Sequence, residues 1–260
     1  MTDLEGALQT MLFRSRTNCR PDADRRARRL SLTLTLAALL APLALGCGSA
    51  AVTAPPDGGS TDDARGAGPL LPWKAGNTWT YRVNDDGVVT MKTNTIMPLE
   101  LVGGTGPNKD RMAYKIVTAK GVMDQTISYQ DFVDDKVIRF RELSFMASTG
   151  LLELEEHWTP HKIHIDGTLA HTTRPAQWLE SYKETKIPVG GTESTADARD
   201  LWTLMSESES VTVPAGTFNA VRFHKVGGDS VKNYWYVWGV GKVRETGGQL
   251  EELVDYKLMP

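Results

Sequence analysis

The sequence predicts an all-β protein: a single antiparallel β domain, built as a curved sheet, sandwich or partly closed barrel, after a signal peptide and a flexible linker. Three observations predict it. From Leu70 onward, apolar and polar residues alternate with period two in run after run, the pattern of strands that bury one face. Glycine-rich turn signals separate most of the runs. Helical evidence is confined to Ser194 to Trp202, where Asp197, Arg199 and Asp200 make a capped turn too short to form a layer. Many short strands joined by such turns indicate a sandwich or barrel.

The first element, residues 1–46, has the form of a bacterial lipoprotein signal. Arg25, Arg26, Arg28 and Arg29 precede an apolar run from Leu30 to Leu45, which closes on Leu43-Ala44-Leu45-Gly46-Cys47. Basic residues hold the start of such a segment in the cytoplasm, and small residues before the cysteine let a signal peptidase reach the backbone. Cys47 then becomes the lipidated first residue, carrying acyl chains such as palmitate. The run has 16 residues and includes Pro42, short of the about 20 that a spanning helix needs, so a cleaved signal outweighs an uncleaved anchor. Ala44 stands where leucine is usual, and Arg28-Arg29 followed by Ser31 makes only a weak twin-arginine signal. The segment before Arg25 is long, which leaves Met11 as an alternative start. Gly48 is not the aspartate that retains some lipoproteins at the inner membrane, so the expected location is the cell envelope, at the outer membrane.

Residues 47–69 are small and polar, including Pro55-Pro56-Asp57-Gly58-Gly59-Ser60. They bury too little apolar area to offset the entropy of ordering them. As a tether they reach on the order of 25 to 30 Å. The chain has 2 cysteines, Cys19 and Cys47, so the mature protein holds one acylated cysteine and no disulfide. With 7 of the 29 basic and 4 of the 32 acidic residues in the discarded segment, the mature charge is about −6. That balance excludes a phosphate-binding basic surface and hence nucleic acid as a partner.

Residues 70–260 are within the size of one domain. Trp79, Tyr81 and Val83 alternate with Thr78, Thr80 and Arg82; Ile138 and Phe140 alternate with Val137, Arg139 and Arg141. Each set is expected to put its apolar face on the core. Further runs cover 112–118, 151–158, 178–187, 201–213, 218–226, 232–238 and 249–258. Val213-Pro214-Ala215-Gly216 is a hairpin signature with proline at a turn corner, and Gly239 and Gly241 flank Val240 where a bend follows an aromatic strand.

Three segments resemble a group of uncharacterised bacterial lipoproteins of the myxobacterial type. They are Trp73-Lys74-Ala75-Gly76-Asn77-Thr78-Trp79-Thr80-Tyr81, Val211-Thr212-Val213-Pro214-Ala215-Gly216-Thr217-Phe218, and the stretch from Tyr234 to Val243. The resemblance implies a membrane-tethered antiparallel β domain and brings no catalytic residues with it.

Two sets of residues are candidates for chemistry. His157, His161, His164 and His171 lie near Glu155, Glu156 and Asp166, and imidazole with carboxylate suits zinc. On a strand, however, Glu153, Glu155 and His157 share one face and Trp158 takes the other, Pro160 interrupts pairing, and Lys162 shares a face with His164. A solvated polar face accounts for these residues. The second set is Tyr234, Trp235, Tyr236 and Trp238, where Tyr234, Tyr236 and Trp238 are expected on one face and Trp235 on the other, either in a central strand or lining a cavity for an apolar or carbohydrate ligand. There is no His-Glu-x-x-His, no Gly-x-Ser-x-Gly and no phosphate loop. The expectation is a binding or structural module without catalysis or cofactor. Its partners are the membrane, through lipid at Cys47, and an apolar small molecule or an envelope protein. The alternative is a metal-dependent envelope hydrolase built on His157, His161 and His164.

Overall fold

Strand follows strand along the chain, each antiparallel to the one before, until the last returns to the first. The computed structural model describes residues 68–121, 124–228 and 230–260; the signal segment, Cys47 and most of the linker lie outside them. The strands are β1 (Thr78–Asp85), β2 (Val88–Leu101), β3 (Met112–Lys120), β4 (Asp124–Val133), β5 (Lys136–Phe145) and β6 (Leu152–Asp166). After a helical turn, α1 (Leu169–Thr172), come β7 (Gln177–Pro188), β8 (Ser194–Val213), β9 (Gly216–Gly227), β10 (Ser230–Val237), β11 (Gly241–Thr246) and β12 (Leu250–Lys257). β12 pairs with β1 through contacts such as Trp79 with Tyr256, which closes an up-and-down barrel. Closure removes the unpaired edges that an open sheet would leave.

Alternation sets what faces in. Trp79, Tyr81 and Val83 are buried, whereas Arg82 on the same strand is exposed and pairs outside with Glu252 at 2.6 Å. The barrel is plugged at the end where β1 begins. Leu70 and Leu71 are buried there, the Gly239 amide donates to the Pro69 carbonyl at 2.9 Å, and the Trp79 indole donates to the Val240 carbonyl at 2.6 Å. Gly241 has φ 106°, and a Cβ on it would lie 2.8 Å from Leu71 Cδ1. Only glycine fits that approach. Phe223, Tyr236, Val221, Leu204 and Leu253 complete this apolar core.

The expected hairpin is present, with Val213 paired to Gly216 across Pro214-Ala215. Three expectations are corrected. Ser194 to Trp202 is the first half of β8, because Asp200 and Trp202 are needed on the inner face, opposite Gly227 and Lys225. Ile138 and Phe140 face outward: they join Val102, Ala113 and Tyr129 in a small outer cluster, with the Arg111 guanidinium over the Phe140 ring at 5.2 Å. Arg139, between them, faces the interior. β2 and β4 were not among the expected runs. On β2, Lys92 and Asn94 line the interior while Thr93 and Thr95 alternate with them, so polarity does not alternate.

Candidate functional site

Four inward-facing rows that begin as core continue as charge. Glu180 follows Trp178 on β7, Asp200 precedes Trp202 on β8, Lys225 follows Phe223 on β9, and Lys232 precedes Tyr234 and Tyr236 on β10. Side chains two apart on a strand share a face, so burying the aromatic residues carries the charged ones inside. Of these rows, Asp200, Lys225, Lys232 and Tyr234, but not Glu180, join residues of β2 to β6, β11 and β12 in lining a cavity of about 420 Å³ within the barrel. Its lining includes six cations, Lys92, Arg139, Lys162, Lys225, Lys232 and Lys242, and four carboxylates, Glu142, Asp200, Glu245 and Glu251. Trp73 belongs to the lining on the side of the plugging segment, whereas Gly227 and Ser230 flank the β9–β10 turn at the opposite end of the strands.

The charges are held in two networks. Lys242 donates to Glu245 and, at 2.8 Å, to Glu251; Lys232 reaches Glu245 at 2.7 Å and Lys92 pairs with Glu251. Burial alone would lower the Lys242 pKa, but Glu245 and Glu251 outweigh it and hold the ammonium well above the ordinary lysine range. Burial, reinforced by repulsion from Lys242, pushes Lys92 down to about 8. In the second network Lys225 reaches Asp200 at 2.7 Å, and the Tyr182 hydroxyl donates to Asp200 at 3.1 Å. The Lys225 ammonium also stands 4.7 Å over the Trp202 ring. Burial lowers the pKa of His164, with Arg139, Lys242, Lys225 and Lys92 adding to the effect, so its imidazole is neutral.

Glu180 is the least satisfied carboxyl. One oxygen accepts from the Ile163 amide, the other is buried without a partner, and burial raises the pKa to about 7. An acid with a raised folded-state pKa costs no stability while both states are protonated. Stability is then lost as pH rises from about 4.5 through 7. Glu180→Gln keeps the acceptor for Ile163 and removes the ionisation. Thermal melts are expected to match wild type near pH 4 and to show the variant more stable at pH 8, by at least about 1 kcal/mol. Equal melting at both pH values would contradict the burial of an ionising carboxyl.

The histidines do not converge. His157 faces outward beneath Gly106, beside Glu155 at 2.7 Å; it is 4% exposed, which corrects the expected solvated face. His164 lines the lumen, and His161 is half-buried and not part of that lining. Among the described residues no three His, Cys, Asp or Glu side chains gather as a metal site. His171 pairs instead with buried Asp166 at 2.7 Å and stacks on Trp178 at 3.9 Å. Asp166 also accepts from the Thr168 amide and hydroxyl, so the group pins the α1 turn.

Of the expected ligand-facing rings only Tyr234 lines the cavity. Tyr236 is fully buried in the core, and Trp238 lies in the β10–β11 turn, partly buried against that core. Trp235 takes the opposite face, as alternation requires. It is 6% exposed, covered by the guanidiniums of Arg222 at 5.0 Å and Arg244 at 5.3 Å, and its indole donates to Glu209 at 3.1 Å. An acyl chain in this charged lining would strip water from its charged groups without replacing their hydrogen bonds. Sequence reasoning missed the lumen charges themselves, although their shared parity with buried rings was a usable signal.

No protein-family model matches the chain, and no curated protein matches it. Among solved structures, a protein described as exported, with a YmcC-like fold, from Bacteroides fragilis is similar with a TM-score of 0.45 and 12% identity, covering 74% of this chain and 100% of that one. A protein described as a lipoprotein, from Parabacteroides distasonis, is similar with a TM-score of 0.33 and 12% identity over the same shares. At these levels neither likeness bears on the function of this chain.

Proposed function

We propose that this chain is a lipid-anchored lipoprotein of the bacterial cell envelope, at the outer membrane, acting as a non-catalytic binding module whose ligand occupies the barrel lumen. The observation that carries the binding role is the 420 Å³ cavity lined by charged side chains, of which Asp200, Lys242, Glu245 and Glu251 are buried. A barrel serving only as a structural block would fill that space with apolar side chains, as it does at the plugged end. The lumen groups are tied to one another in ion pairs, an arrangement suited to holding a polar molecule. The Leu43 to Cys47 motif supports the anchor, and the three motifs shared with uncharacterised lipoproteins agree with it. The chain enters the barrel at the plugged end, which leaves Gly227, Ser230 and the β9–β10 turn on the opposite side.

Cys47→Ala tests the anchor in a Gram-negative host. Wild type is expected in the membrane fraction with residue 47 as its acylated N-terminus, because two or more acyl chains retain a protein far more strongly than one. The variant is expected as an uncleaved precursor without lipid. A wild-type mature terminus at any other residue, read by mass spectrometry, would overturn the anchor.

A further inference from the structure

The lumen holds more positive charge than its carboxylates neutralise, and the excess is localised. Lys92, Lys232 and Lys242 share two carboxylates, Glu245 and Glu251, so one positive charge in that network has no counterpart. Lys162 is loosely held rather than unpaired: its nearest carboxylate, Glu184, is 3.9 Å away and also takes the Trp158 indole at 3.0 Å and Lys186 at 3.2 Å, while Lys186 reaches Glu156 as well, at 3.4 Å. The other two cations each have a carboxylate of their own: Arg139 has Glu142 at 2.8 Å and Lys225 has Asp200 at 2.7 Å. Uncompensated charge inside a protein is costly, and a mobile anion relieves the cost. Between these groups the wall includes the ring of Tyr234, an apolar surface for the body of a small molecule.

We propose that the lumen binds a small organic anion carrying two negative charges, a dicarboxylate or a phosphate monoester, between the Lys92–Lys232–Lys242 cluster and Lys162. The proposal rests on the lumen being the ligand site and names the class of ligand. Ammonium groups with rotatable stems suit both carboxylate and phosphate oxygens, because each donates as a compact point charge. The depressed basicity of His164, caused by burial and then by the surrounding cations, reflects the same positive field.

The test is calorimetric titration of the full chain in detergent at low salt, with succinate, glycerol phosphate, glucose and laurate as probes. One or both dianions are expected to bind one to one and to weaken as salt rises. Lys162→Gln and Lys232→Gln are each expected to weaken that binding about tenfold or more, the loss of one charge-assisted contact. Arg82→Gln, on the outer face, is expected to leave it unchanged. Succinate alone would select the dicarboxylate, and glycerol phosphate alone the phosphate monoester. If a lumen variant fails to fold by circular dichroism, the wild-type selectivity and salt dependence still decide. Binding of glucose or laurate without either dianion would overturn the anion class and keep the lumen as a site. Dianion binding that both folded lumen variants leave intact would place the site elsewhere and overturn the proposal. Binding of none of the four would overturn both readings.

Discussion

Trp202→Ala is expected to cost about 3 to 5 kcal/mol of folding stability, the range for truncating a buried aromatic side chain. Trp202 is 1% exposed and sits where the apolar core meets the charged lumen. Its ring stacks on Trp178 at 5.8 Å and on Tyr234 at 5.7 Å, and the edge of Phe223 meets it at 6.3 Å. Lys225 lies over its face. Removing the ring opens a cavity and leaves that ammonium without its aromatic neighbour. Denaturant unfolding should show the loss, and thermal melts a fall in Tm of about 6 to 20 °C for a domain of this size. A change within about 0.5 kcal/mol is what an exposed ring gives and would contradict the inward placement of this row.

Lys242→Met is expected to cost about 3 to 5 kcal/mol, because it breaks a buried network and leaves carboxylates short of a cation. Methionine keeps most of the volume, so the loss reports charge. The pH dependence separates the two contributions. Burial disfavours ionised Glu245, but Lys242 and then Lys232 outweigh that and hold its pKa down to about 2. A lowered acid stabilises the folded state above the unfolded pKa, and that stability is lost as pH falls from about 4.5 towards 2. Without Lys242 most of this contribution disappears. The gap between wild type and variant should therefore be widest near pH 7 and shrink by pH 3. A gap of the same size at both values would mean that Lys242 acts through packing alone.

How much was legible in the sequence follows from parity. Trp79, Tyr81 and Val83 alternate cleanly, and their strand is where alternation puts it. The Pro214-Ala215 and Gly239 turns were equally readable, since proline and glycine fix backbone geometry locally. The lumen was not read, because a charged residue beside an aromatic one suggests solvent. In a barrel the solvent-like side can be the inside. Lys232, Tyr234 and Tyr236 share parity, as do Asp200 and Trp202. Recognising that the rings are buried would have brought the charges in with them. Ile138 and Phe140 misled for the converse reason: their apolar face is outer and is covered by the segment before β3, a tertiary contact that periodicity does not encode. The histidines looked like a cluster only because they are near in sequence. Residues seven apart on a strand fall on opposite faces, so alternation itself sends His157 outward and His164 into the lumen.

The central claim is that the charged lumen is a binding site for a doubly charged anion, and a crystal structure of the full chain grown with selenate locates such an anion directly through its anomalous scattering. The account predicts one strong peak inside the barrel, within about 3 Å of an ammonium nitrogen belonging to Lys162 or to the Lys92–Lys232–Lys242 cluster. A lumen without selenate at saturating concentration, or peaks confined to the outer surface, would contradict it.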